Sequence, residues 1–220
     1  LVVGDSSIFG VRCAEHQTIP IAAALDLKTR LGKPVVGLNG GVPGFDSGKS
    51  LNQLRRLFPL LKPDWVIIAN LWSDCYNGQR YLDEGPGRKS RLVARTNTYR
   101  LLKRLLEPLL QSKKVGWFAS EEEMRQADGK DARTSLDQYL INLVAMAEQV
   151  KERGARPLFL ILPAPVDLTA GGAPQLVVEY REMIWRAARE TGAPVVDGPA
   201  LLAPRGVQLH HFLDEVHPGP

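Results

Sequence analysis

Asp64-Trp65-Val66-Ile67-Ile68-Ala69 reads as the central strand of a parallel sheet. The run is short and apolar on both faces, which suits a strand covered by helices above and below. Upstream, Asp46 to Leu61 carries Leu51, Leu54, Leu57 and Leu61 at helical spacing. Before it come a strand at Pro34 to Leu38, a helix at Ile19 to Leu31 closed by Gly32, and a first strand at Leu1 to Val3. Downstream the rhythm breaks. Residues 72 to 95 are polar and rich in Gly and Arg, Tyr99 to Leu110 reads as a leucine-rich helix, and 119 to 134 is charged. Alternation then resumes with a helix at Ser135 to Arg153, a strand at Leu158 to Leu162, a helix at Gln175 to Thr191 and a short strand at Pro194 to Asp197. Such alternation predicts a parallel α/β sheet in one domain over residues 1–220. The insertion at about 72–134 is of the kind that serves as a lid or binding loop.

The 220 residues suffice for one self-standing core, and an apolar fraction of 44% with 24% charged residues is that of a soluble globular protein. No apolar run reaches the length of a membrane span. A net charge of +4 is spread over helices, as at Arg100, Lys103 and Arg104, rather than along an aromatic-studded stripe, so nucleic acid is not an expected partner. Cys13 and Cys75 are too few for a metal cage or a disulfide scaffold. The chain begins without Met and ends at Pro218-Gly219-Pro220, so both ends are expected to be cut, with any signal peptide or lipid anchor upstream. The compartment is then periplasmic or extracellular if such a signal exists and cytoplasmic otherwise.

Two fragments carry chemistry. Gly4-Asp5-Ser6 follows the first strand and delivers a hydroxyl at the carboxyl edge of the sheet, where ligands bind in open parallel sheets. A helix starting nearby would place Ser6 at its positive end. Asp214-x-x-His217 lies at the other end of the chain. That spacing lets the carboxylate hold one imidazole nitrogen while the other faces Ser6. Serine, imidazole and carboxylate are the parts of an acyl-transfer site. Neither Ser6 nor His217 is expected in the core. Between the fragments, Asn39-Gly40-Gly41-Val42-Pro43-Gly44 follows the second strand, and its glycines can aim N–H groups at a developing oxyanion.

These three blocks, in this order, resemble those of the SGNH hydrolase (GDSL esterase/lipase) superfamily. The resemblance covers nearly the whole chain. It implies a flavodoxin-like three-layer α/β/α sandwich with a five-stranded parallel sheet. It also implies ester hydrolysis with Ser6 as nucleophile, His217 as base and Asp214 as its orienter, and an oxyanion hole that includes the Ser6 and Gly44 N–H groups. One block departs. Where the family has Gly-x-Asn-Asp after the third strand, this chain has Asn70-Leu71-Trp72-Ser73-Asp74. Matching Asp74 puts Ser73 at the oxyanion Asn position; Asn70 is the alternative donor, and a missing donor is the third reading.

The expected function is a serine esterase acting on a small acyl ester such as an acetyl ester, without cofactor or metal. The expected partner is a small-molecule or carbohydrate ester. Trp72, Tyr76, Tyr81 and Trp117 in the insertion would suit a sugar ring. Acyl transfer to a carbohydrate and a binding module of impaired activity are the alternatives, and the oligomeric state is open. Two rivals are weaker. Gly44 to Ser50 ends like a phosphate-binding loop but has three rather than four residues between its glycines. His210, His211, Asp214 and His217 are residue types that suit Zn²⁺, yet a triad accounts for Asp214 and His217 without an ion.

Overall fold

A computed structural model describes residues 1–76, 132–169, 171–202, 212, 217 and 219. Among these, five parallel strands form one sheet: β1 (Val2–Gly4), β2 (Asn39–Gly41), β3 (Trp65–Ala69), β4 (Arg156–Ile161) and β5 (Val195–Asp197), in the order β2-β1-β3-β4-β5. The helices are α1 (Ser6–Phe9), α2 (Ile19–Leu31), α3 (Ser47–Leu61), α4 (Trp72–Cys75), α5 (Leu136–Glu152), α6 (Gln175–Thr191) and α7 (Gly198–Leu202). The step from β1 to β2 runs one way along the sheet and the later steps run the other. Right-handed crossovers therefore place α2 on one face and α3, α5 and α6 on the opposite face. The reversal leaves a crevice at the carboxyl ends of β1 and β3.

Successive strand residues alternate between the faces. Val3, Val66, Ile68, Phe159 and Ile161 meet Leu54 and Phe58 of α3, Leu143 and Met146 of α5, and Tyr180 and Ile184 of α6 in the main core. Val2, Ala69 and Leu162 meet Ile8 in a much smaller cluster on the other face. Local signals set the helix ends. Asp46 caps α3 by accepting from the Lys49 N–H at 2.9 Å, Ser135 caps α5, and Gly32 and Gly192 close α2 and α6 in the left-handed conformation.

Three expectations need correction. The second strand lies at Asn39–Gly41 rather than at Pro34 to Leu38, so the glycine block is itself the strand. Its register sets Val2 opposite Asn39, and residues 34 to 37 thus lie beyond the start of β1, the neighbour they would pair with. β3 is not covered equally on its two faces: Val66 and Ile68 are buried, but Trp65 is 44% exposed on the thinner side. Trp72 and Cys75 are buried in the main core, so the segment read as an insertion begins with a turn of helix that belongs to the fold. The helix expected at Tyr99 to Leu110 lies outside the described residues.

Candidate active site

β1 stops at Gly4 because nothing larger fits. A Cβ there would stand 2.6 Å from the Ala69 carbonyl oxygen and 2.7 Å from Ile8 Cγ1. Asp5 then takes the N-cap position of α1, its Oδ1 accepting from the Ser7 N–H at 3.0 Å. Ser6 is therefore the first residue of a single helical turn, closed at Gly10 with φ +77°. Its side chain sits in a nearly closed setting at the carboxyl edge of the sheet, 8% exposed.

The glycine block runs alongside. A Cβ on Gly41 would lie 2.3 Å from the Phe9 nitrogen, so α1 can rest on β2 only where there is no side chain. Asn39 joins the same two elements, donating to the Phe9 carbonyl at 3.3 Å and accepting from the Gly41 N–H at 2.9 Å. The Val42 N–H continues the pairing by donating to the Gly4 carbonyl at 3.1 Å. Val42 to Phe45 is then a turn with Pro43 second and Gly44 third, Gly44 at φ +74°, the type II combination. Its hydrogen bond uses the Phe45 N–H, so the turn itself does not need the Gly44 N–H. The Gly44 carbonyl accepts from Arg133 Nη1 at 2.8 Å.

The block after β3 is held from below. Asn70 is buried and its side-chain amide donates to Ser50 Oγ of α3 at 2.9 Å, while its backbone carbonyl accepts from the Tyr139 hydroxyl. The Ser73 N–H donates to Asp5 Oδ2 at 3.2 Å, which ties α4 to the turn that carries Ser6. Asp74 is wholly buried and accepts from the Ser47 N–H through both oxygens at 2.9 Å and from Ser47 Oγ at 2.7 Å. Asn142 of α5 donates to the same Ser47 oxygen at 2.9 Å. Burial pushes the Asp74 carboxyl up to about 6, against the hydrogen bonds from Ser47 and Thr134.

His217 is buried, 5% exposed. Burial raises the Asp5 carboxyl above its usual range, and hydrogen bonds from Ser7 and Ser73 and the charge of His217 oppose this. The sequence placed neither Ser6 nor His217 in the core, yet both are buried. Asp214, His210, His211, Tyr81 and Trp117 lie outside the described residues.

Trp72 is not a substrate platform. It is 1% exposed and stacks on Tyr76 with centroids 6.3 Å apart, inside the core. The phosphate-loop reading also fails on geometry. At the start of α3 the Ser47 and Lys49 N–H groups are taken by the carboxylates of Asp74 and Asp46, and Lys49 pairs with Asp46 at 3.0 Å. Two carboxylates at that position repel an anion. Cys13 and Cys75 are free; burial pushes the Cys75 thiol far up, which removes its thiolate as a rival nucleophile. Among the described residues no group of three or more His, Cys, Asp or Glu could hold a metal ion, and no helix is long and apolar enough to cross a membrane. Reading the sequence missed the linking roles of Asp5 and Asp74; their only signal was a carboxylate beside each turn.

The sequence matches no protein-family model and no curated protein. Solved structures resemble it closely in fold. The psychrotrophic esterase EstA from Pseudoalteromonas sp. is similar at 13% identity and a TM-score of 0.60, over 99% of this chain and 86% of that one. A lipase/acylhydrolase from Enterococcus faecalis is similar at 15% identity and a TM-score of 0.58, over 99% and 86%. AlinE4, an SGNH-hydrolase family esterase, is similar at 17% identity and a TM-score of 0.54, over 99% and 85%. The five-stranded parallel sheet of this chain is the fold that the resemblance implied, and these likenesses agree with it at the level of the fold.

Proposed function

We propose that this chain, which has the fold of the SGNH esterases, hydrolyses small acyl esters through a covalent acyl-enzyme. What supports the reading is that Ser6 heads a helical turn at the carboxyl edge of the sheet, beside the strand that leads into the glycine turn at Gly44, and that His217 is likewise buried. Ser6 Oγ attacks the ester carbonyl carbon as His217 takes its proton. The resulting oxyanion accepts from the Ser6 and Gly44 N–H groups and from Ser73. Collapse expels the alcohol, which leaves with the proton from His217. Water, activated by His217, then releases the acid and restores Ser6. Asp214 holds the imidazole tautomer and stabilises the imidazolium.

The test is covalent labelling by a fluorophosphonate together with turnover of short p-nitrophenyl esters. Ser6→Ala should abolish both. Since His217 is buried, His217→Gln is a better partner variant than Ala and should reduce hydrolysis to background. Full turnover in either would overturn the reading, and a folded protein that never labels would point to a binding module instead.

A further inference from the structure

Arg133 lies between two segments that are both bonded to β1 or to the turn after it. The glycine turn is one: the Val42 N–H donates to the Gly4 carbonyl at 3.1 Å. α4 is the other, since the Ser73 N–H donates to Asp5 Oδ2 at 3.2 Å. The Arg133 guanidinium donates through Nη1 to the Gly44 carbonyl at 2.8 Å. Its own N–H and that of Thr134 donate to the Asp74 carbonyl at 3.1 and 3.3 Å, which fixes its backbone to α4. One residue thus joins the turn that bears Gly44 to the helix that bears Ser73.

Little packing holds Gly44. On the side that a Cβ would occupy nothing lies within 4 Å, and glycine has more backbone freedom than any other residue. The turn is anchored before it by Val42 and after it by Ser47, whose N–H and hydroxyl donate to Asp74. At Gly44 itself the restraint is the bond from Arg133, a charge-assisted bond of the stronger kind. The arginine is packed rather than extended into water, because its Nε is buried and has no hydrogen-bond partner among the described residues. A surface arginine would turn that N–H to water, since leaving it unmet costs stability. The ion pairs among the described residues also leave Arg133 out, so no carboxylate there competes with the Gly44 carbonyl for its fork.

We propose that Arg133 is a positioning residue for the oxyanion hole: its guanidinium holds the Gly44 turn against α4 so that the Gly44 N–H and Ser73 converge on one oxygen. This rests on the roles proposed above for Ser6, Gly44 and Ser73. Arg133 neither gives nor takes a proton in the reaction. Donors that are fixed in advance need no reorganisation as charge develops, so a loosened Gly44 slows the chemical step rather than weakening substrate binding.

The experiment compares Arg133→Met, which keeps the stem without the donors, with Arg133→Lys, which keeps one charged donor group. Hydrolysis of p-nitrophenyl acetate is followed with kcat normalised to fluorophosphonate-labelled sites, and the backbone order parameter of Gly44 is measured by NMR relaxation. In Arg133→Met, kcat per labelled site should fall about tenfold with KM nearly unchanged, less than the roughly 10²- to 10³-fold loss of a whole oxyanion donor. The Gly44 order parameter should drop from the roughly 0.85 of a rigid backbone to below about 0.6. Arg133→Lys should lose less on both counts. A merely structural role would lower the melting temperature and the labelled fraction and leave kcat per labelled site in place. Unchanged kcat per labelled site in folded Arg133→Met, or an unmoved Gly44 order parameter, overturns the proposal. So does a rise in KM with kcat unchanged, which would make Arg133 a contact to the substrate. If Ser6→Ala keeps its turnover the esterase reading fails instead, and the order parameter still decides whether Arg133 holds Gly44.

Discussion

Replacing Asp74 by Asn should change how stability depends on pH. Asp74 is fully buried, and its carboxyl is pushed up to about 6 from the ordinary 3.8. The folded protein thus holds this proton more tightly than the unfolded chain. The associated stability is fully present below about pH 3.8 and is lost as pH rises through about 6. At 1.36 kcal/mol per tenfold change in proton affinity, the difference amounts to about 3 kcal/mol. Asn cannot titrate, so the variant lacks this decline. It also presents an amide to the Ser47 donors, a penalty that is constant with pH. Guanidinium unfolding of both proteins at steps from pH 4 to pH 7 isolates the effect, since every other group cancels in the difference. The gap between them should shift by about 2.4 kcal/mol in favour of Asp74→Asn across that range, the remainder of the difference lying below pH 4. A gap constant to within about 0.5 kcal/mol, the usual error of additivity, or one that moves the other way, would refute the reasoning.

Gly41→Ala should lower stability by about 2–3 kcal/mol, because its Cβ would meet the Phe9 nitrogen at 2.3 Å and backbone cannot rotate away. Gly44→Ala has open space around it and should lose only about 1–2 kcal/mol from its φ of +74°; thermal melts separate the two, and equal losses would mean that α1 does not rest on β2. At the altered third block, Ser73→Asn should raise kcat with KM nearly unchanged, the signature of an interaction made mainly in the transition state. Asn70→Ala, which removes the bond to Ser50, should cost about 1–3 kcal/mol of stability with little change in kcat. A silent Ser73→Ala beside an Asn70→Ala that loses about 100-fold or more in kcat would make Asn70 the donor.

Whatever depends on neighbours in the chain was legible in the sequence. α2, α3, α5 and α6 fall within a residue of their expected limits, because helical periodicity and the caps Gly32, Asp46, Ser135 and Gly192 act over a few residues. The alternation of strand and helix likewise carried the fold class, since a parallel strand needs a crossover to its neighbour. The blocks around Ser6, Gly44 and His217 could be found because each is a contiguous run. What depends on pairing across the chain was decided only by tertiary structure. β2 lies where the register of β1 allows it, not where the valines of residues 35 and 36 suggested. Trp72 looked like a surface aromatic in a polar segment, yet α5 and α6 bring a core to meet it. Asp5 reaches Ser73 across 68 residues, and Ser47 reaches Asp74 across 27. Carboxylates of this kind look like ordinary turn residues in a sequence, because their role comes from desolvation and from donors that only the closed sheet edge supplies.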